Sequence, residues 1–189
     1  MLWSVRTLNH GSCIAPKLLR PYHIKLYLIE RYGMSLANPH PPGQPGDFDF
    51  LSGHWHIRQR RLSSSNPDVW DSFEGEASCW SILDGMTSIE ELRIPARGFA
   101  GMGLRVLDRQ TQVWSDTWMN AASGVLTEAV SGYFEDGRGV FIALDAHGVH
   151  TRGLWDNISA NGCRWQQASS HDGGASWQDN WVMEWTRVG

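Results

Sequence analysis

The chain is poor in three things, and each absence narrows what it can be. Lysine comes first: only Lys17 and Lys25 occur, both within the first 33 residues, so everything after relies on arginine for positive charge. Cysteine is the second. Three residues, Cys13, Cys79 and Cys163, are an odd number with no close spacing, which argues against a disulfide framework and a cysteine-based zinc site and suits a reducing compartment. Third, there is no long apolar run. The short patch from Ile24 to Ile29 is far below membrane-spanning length, and no stretch of seven or more apolar residues follows a basic start as in a signal peptide. His10-Gly11-Ser12 before Cys13 also lacks the Leu of a lipoprotein site. A soluble, cytoplasmic protein is the expectation, with no membrane partner.

Tryptophan, by contrast, is abundant: eleven in 189 residues, in a chain that is 41% hydrophobic. An indole N–H needs a partner when buried, so this density suits either a wide barrel with long aromatic girders or an aromatic-lined cavity. Charge divides the chain. Residues 1–33 carry a net +4 and residues 34–189 a net −8. The basic lead and the internal Met34 are read as an extension outside the folded unit, either an over-extended start or a flexible arm. Residues 34–46 hold four of the eight prolines and read as an extended linker, so the domain is expected at 47–189. A domain of this acidity has no electrostatic reason to bind nucleic acid.

From residue 54 onward apolar and polar residues alternate almost without pause. Strands are expected at about 54–62, 69–82, 86–94, 100–107, 112–119, 125–134, 138–145, 149–158, 162–170 and 177–187. Asp84-Gly85, Glu135-Asp136-Gly137, His147-Gly148, Asn161-Gly162 and Asp172-Gly173-Gly174 supply the tight turns between them. About ten strands with short connections make an all-β, antiparallel up-and-down meander, and closure into a barrel removes its exposed edges. Only Asp47 to Ser52 reads as a helical turn, placed to close one end. Gly101-Met102-Gly103 enters a strand rather than opening a helix, so it reads as a bulged hairpin entry and not as a phosphate loop.

Phe48-Asp49-Phe50-Leu51-Ser52-Gly53-His54-Trp55, Trp114-Ser115-Asp116-Thr117-Trp118, and the run from Ser170 through Trp177 to Asn180-Trp181-Val182-Met183-Glu184-Trp185-Thr186-Arg187 resemble an uncharacterised bacterial family of lipocalin-like (calycin) barrels, over about 47–187. The resemblance implies that Gly53 and Trp55 lie at a closed end and that Arg187 stacks on Trp55 and binds nearby carbonyls. It implies a barrel able to hold a small, mostly apolar molecule, and no particular reaction. The stretch Ser170 to Trp177 is also similar to the Asp-box hairpin of propellers; occurring once, it reads as a turn capped by Asp172.

Candidate chemistry follows from strand facing. Trp55 pointing inward sends His54 and His56 outward, a surface pair rather than a metal site. Trp114, Asp116 and Trp118 share one face. If it is inward, Asp116 is a desolvated carboxyl and a candidate acid or base; if outward, the three form a girdle. Glu90, Arg105, Glu128 and Arg152 fall mid-strand, where an interior acid would need an arginine partner. Asp116, Glu90 and Glu128 are thus the acid/base candidates, and Trp114, Trp118, Trp155, Arg105 and Arg152 the candidates for ligand contact.

Two functions from different classes remain at this point. One is a binding barrel for a small apolar or aromatic molecule, with no cofactor and with homodimerisation open. The other is an enzyme performing isomerisation or cyclisation in the same pocket. Haem binding through His147, His150 or His171 is a minor alternative. In each case the functional end is expected opposite the closed one.

Overall fold

A computed structural model describes residues 40–189 apart from residues 64 and 67; the basic lead, the start of the proline-rich segment and Cys13 lie outside the described residues. Among the described residues eleven strands run in chain order: β1 (Gly53–Leu62), β2 (Trp70–Ile82), β3 (Thr87–Ile94), β4 (Phe99–Asp108), β5 (Val113–Asn120), β6 (Val125–Leu126), β7 (Val130–Glu135), β8 (Arg138–Leu144), β9 (His150–Asp156), β10 (Gly162–Ser170) and β11 (Gln178–Val188). Ten of them form the wall. Each pairs antiparallel with its neighbours, and β11 returns to β1, with Trp55 opposite Arg187, so the sheet closes. Closure gives every wall strand two partners and leaves room inside, as expected at this strand number. Among the described residues no helix is long and apolar enough to cross a membrane.

The segment 125–134 departs from the expectation of one strand. It splits into β6, a two-residue ribbon on the end of β5 opposite Met119 and Asn120, and β7, which pairs with β5 directly. Facing explains the break. Gly132 is buried and Val130 lines the interior, so an unbroken strand would turn Glu128 inward as well. The chain instead leaves the wall after Thr127, whose N–H donates to the Trp118 carbonyl and whose hydroxyl accepts from the Trp118 N–H, and Glu128 stays in solvent.

Facing along β1 follows the period of two. Trp55, Ile57 and Gln59 are buried, while His54, His56, Arg58 and Arg60 are exposed. His54 bonds Ser78 and His56 pairs with Glu74 at 3.0 Å on the outer surface.

One end is packed solid. A single 3-10 turn, Asp49–Leu51, crosses it and drops Phe48 and Leu51 into the core. Trp55 Nε1 donates to the Leu51 carbonyl at 2.6 Å, and Trp114 Nε1 donates to the Asp47 carboxylate at 2.9 Å. Phe48 meets the Trp114 and Phe134 rings edge-on at 5.0 and 4.9 Å. Arg187 lies over the Trp55 ring at 4.2 Å and donates to the carbonyls of Ser52, Phe50 and Ala160. Its guanidinium occupies the space a side chain at residue 53 would need, and Gly53 sits at φ +126°, so both geometry and backbone require glycine there.

Candidate functional site

The other end holds a cavity of about 480 Å³. Its mouth is formed where β5, β8 and β10 finish and β4, β7, β9 and β11 begin, by Phe99, Asn120, Ala143, Thr151, Gln167 and Trp181. Its walls are largely aromatic: Phe99 lies parallel to Trp118 with ring centres 6.4 Å apart, and Trp165 meets Trp181 edge-on at 5.7 Å. Trp155 and Trp185, with ring centres 5.5 Å apart, form the side toward the closed end, where Trp155 also touches Phe50 and Trp185 also touches Trp55.

Two glycines on β4 make room for what projects inside. A Cβ on Gly101 would run into the Trp118 ring, and one on Gly103 would come within 3.1 Å of the Arg105 guanidinium, which folds back over it. Gly101-Met102-Gly103 is therefore not a bulged hairpin entry. It is a regular strand segment whose paired register runs unbroken from Phe99 to Val106 against β3, with the glycines cut back under large neighbours.

Arg105 itself is 4% exposed and sits between two carboxyls. Its Nη2 donates to Glu90 Oε2 at 2.6 Å from the adjacent strand, and its Nε is 3.6 Å from Asp116 Oδ2 on the other side. Aromatic rings flank the guanidinium, with Phe48 at 5.2 Å and Trp155 at 5.3 Å. Burial alone would lower the Arg105 pKa, but Asp116 and Glu90 outweigh it and the guanidinium stays charged. Glu90 is 3% exposed, and the Arg105 guanidinium supplies the hydrogen bond its buried carboxyl group needs. Asp116 differs. Its side chain is one-quarter exposed toward the cavity, and burial, opposed by Arg105 and assisted by Glu90, pushes its carboxyl above the ordinary range. The cavity therefore contains an inward acid that holds its proton more readily than a surface aspartate.

Two thiols also lie in the barrel. Cys79 and Cys163 are free and buried; burial first, then the charge of Glu90, raises both thiols, Cys163 to about 12. Neither is poised as a nucleophile.

The face shared by Trp114, Asp116 and Trp118 is the inward one. Asp116 and Trp118 line the cavity with Glu90, Arg105 and Trp155, so the interior gathers five of the candidates. Trp114 is on the same face one step deeper, fully buried in the closed-end core and not among the lining residues, so its role is packing rather than ligand contact. Arg152 does not line the cavity either. It lies between two lining residues, Thr151 and Gly153, hence on the outer face, and stacks over Trp177 at 4.5 Å. Mid-strand position alone carries no information about side, so the sequence leaves Glu128 and Arg152 open between an interior pair and ordinary outward charge. Among the described residues no histidine lines the cavity, His147, His150 and His171 included. Asp172 caps its hairpin, accepting from Ser170 and Ser176, and these bonds hold its carboxyl well below the usual range.

Several lining residues had not been singled out from the sequence: Trp165, Gln167, Trp181, Phe99, Thr151 and Arg61. Counting back by twos from Arg187 reaches Trp185, Met183 and Trp181, and counting on by twos from Trp55 reaches Arg61, whose guanidinium lies over the Trp181 ring at 4.3 Å. That signal was present once the facing of Trp55 was chosen.

No protein-family model matches the chain, and no curated protein matches it. Among solved structures, an S-type phycobiliprotein lyase from Guillardia theta is similar over 75% of this chain and 90% of that one, with a TM-score of 0.50 and 8% identity. A redesigned β-barrel matches with a TM-score of 0.43 at 9% identity over 78% of this chain and 99% of that one. A protein of unknown function of the DUF3598 family from Nostoc punctiforme matches at 0.44 and 13% over 83% of this chain and 53% of that one. At such identities the likeness to the lyase speaks for the fold alone. With the closed ten-strand wall, it fits a lipocalin-like barrel.

Proposed function

We propose that the barrel binds a small, mostly apolar or aromatic molecule in the cavity at its open end. The observation that carries this reading is the cavity itself: about 480 Å³ walled by Phe99, Trp118, Phe141, Trp155, Trp165 and Trp181, with a few polar groups converging at one side. Volume and lining both fall within the range of small-molecule sites. A core meant only for stability would be filled, as the closed end of the same barrel is.

Titration with N-phenyl-1-naphthylamine, a neutral aromatic probe, tests it. The expected result is one saturable site with energy transfer from tryptophan, lost in Ala143→Trp, which fills the mouth. A folded wild-type protein with no saturable binding would overturn the reading. Native mass spectrometry of the purified chain, followed by denaturing analysis of any excess mass, identifies a molecule carried along.

The raised pKa of Asp116, together with its cavity exposure, favours a second reading, in which the bound molecule gains or loses a proton there. Deuterium uptake into the methyl group of 2-acetylnaphthalene in heavy water, above the buffer rate and absent in Asp116→Asn, is its expected sign. Uptake equal in both proteins excludes it.

A further inference from the structure

The cavity has more hydrogen-bond donors than the protein can satisfy. Arg105 Nη1, Trp155 Nε1 and Trp185 Nε1 are buried, and none has an acceptor in the protein. All three residues line the cavity, and they are 4%, 1% and 3% exposed. They adjoin one another through Trp155, whose ring centre is 5.3 Å from Arg105 Cζ and 5.5 Å from the Trp185 ring. Other indoles of this chain are served internally: Trp55 by the Leu51 carbonyl, Trp114 by Asp47, Trp181 by Gln59. A buried donor without an acceptor is destabilising. Three gathered on one side of one cavity point to a bound group that supplies the acceptor.

Charge narrows what that group is. One guanidinium already faces Glu90 at 2.6 Å and Asp116 at 3.6 Å. A ligand carboxylate there would be a third acid around Arg105, since the other lining cation, Arg61, lies over Trp181 at the mouth, and a ligand ammonium would add donors where donors are in surplus. A neutral carbonyl oxygen has two lone pairs and no charge, and it fits both constraints. The aromatic walls fit a flat body behind it.

We propose that the cavity takes a flat, neutral aromatic molecule whose carbonyl oxygen, of a ketone, quinone, amide or lactam, accepts hydrogen bonds from up to two of the unpartnered donors of Arg105, Trp155 and Trp185. This rests on the binding function proposed above and names the chemistry of its ligand.

Three naphthalenes of nearly equal shape test it by calorimetry on the full chain: 2-acetylnaphthalene, 2-isopropenylnaphthalene, in which a methylene replaces the carbonyl oxygen, and 2-naphthoate. The acetyl compound is expected to bind about tenfold more tightly than the isopropenyl compound, the difference one net hydrogen bond makes, with the naphthoate weakest. Trp155→Phe and Trp185→Phe keep the rings and remove the donors. Each should narrow the acetyl-to-isopropenyl ratio, and the double variant, checked for fold by circular dichroism, should narrow it furthest. Arg105 is left in place because its removal would strand Glu90. Equal affinity for acetyl and isopropenyl compounds, as when water alone serves these donors, overturns the proposal while leaving apolar binding standing. So does tightest binding of the naphthoate, or a ratio unchanged in the double variant. Failure of all three to bind the folded wild type overturns this proposal and the binding function together.

Discussion

The two ends of the barrel use the same residue types to opposite effect. At the closed end, Trp55 and Trp114 are fully buried, each of these indole N–H groups has an acceptor, and Arg187 donates to three backbone carbonyls. Around the cavity above it, Trp155 and Trp185 are as deeply buried but their N–H groups have no acceptor, and Arg105 makes one hydrogen bond among its five donors. Satisfied polar groups around packed rings make a plug. Unsatisfied ones around a cavity leave donors whose acceptors the protein does not supply. A residue's type therefore says little about its role here, and the hydrogen-bond accounting says more.

That contrast can be broken by substitution. Trp55→Ala should have the largest effect on stability, about 3–5 kcal/mol by urea denaturation, because it empties a fully enclosed indole site. Arg187→Ala should follow at about 1–3 kcal/mol, since it strips three carbonyls of their donor and uncovers Trp55. A neutral result for Arg187 would mean that the closed end is not held as described. At the open end the ranking should invert. Trp118→Ala, which removes a partly exposed wall of the cavity, should cost about 1 kcal/mol of stability or less, yet weaken N-phenyl-1-naphthylamine binding by about tenfold.

The smallest expected effect concerns pH. Asp116 has a raised pKa, so the folded chain holds its proton more tightly than the unfolded chain does. Ionising it thus costs stability as pH rises from the ordinary value of 3.8 through the raised one, and costs nothing below that range. Asp116→Asn should therefore gain on the wild type over the interval that begins near the ordinary value of 3.8 and extends upward through the raised one. A variant that instead loses ground over that interval would show that Arg105 relies on the Asp116 charge.

Much of the wall was legible in the sequence, because a period of two interrupted by Asp-Gly and related turns leaves few alternatives; the expected strand positions lie within a residue or two of those found, apart from 125–134 and the end of β9. The interior was harder. Parity assigns side chains to two faces but not which face is inside, and that needs an anchor. Trp55 supplied it for β1, and through it for His54 and His56. Asp116 had no such anchor on β5, so its facing stayed open until Trp114 was found beneath Phe48. Glu128 and Arg152 show the reverse case, mid-strand by spacing yet outside: one because the chain leaves the wall, the other because an aromatic partner, Trp177, waits on the outer face. The acceptor deficit at Arg105, Trp155 and Trp185 was not readable at all, since it depends on which of eleven indoles find carbonyls.

The most direct test is a crystal of the full chain soaked with 6-bromo-2-acetylnaphthalene, with the bromine located by anomalous scattering. The account predicts one site inside the barrel, with the ring among Trp118, Trp155 and Trp165 and the carbonyl oxygen within hydrogen-bonding reach of Arg105, Trp155 or Trp185. Bromine found only on the outer wall, with the interior unoccupied at saturating probe, would contradict it.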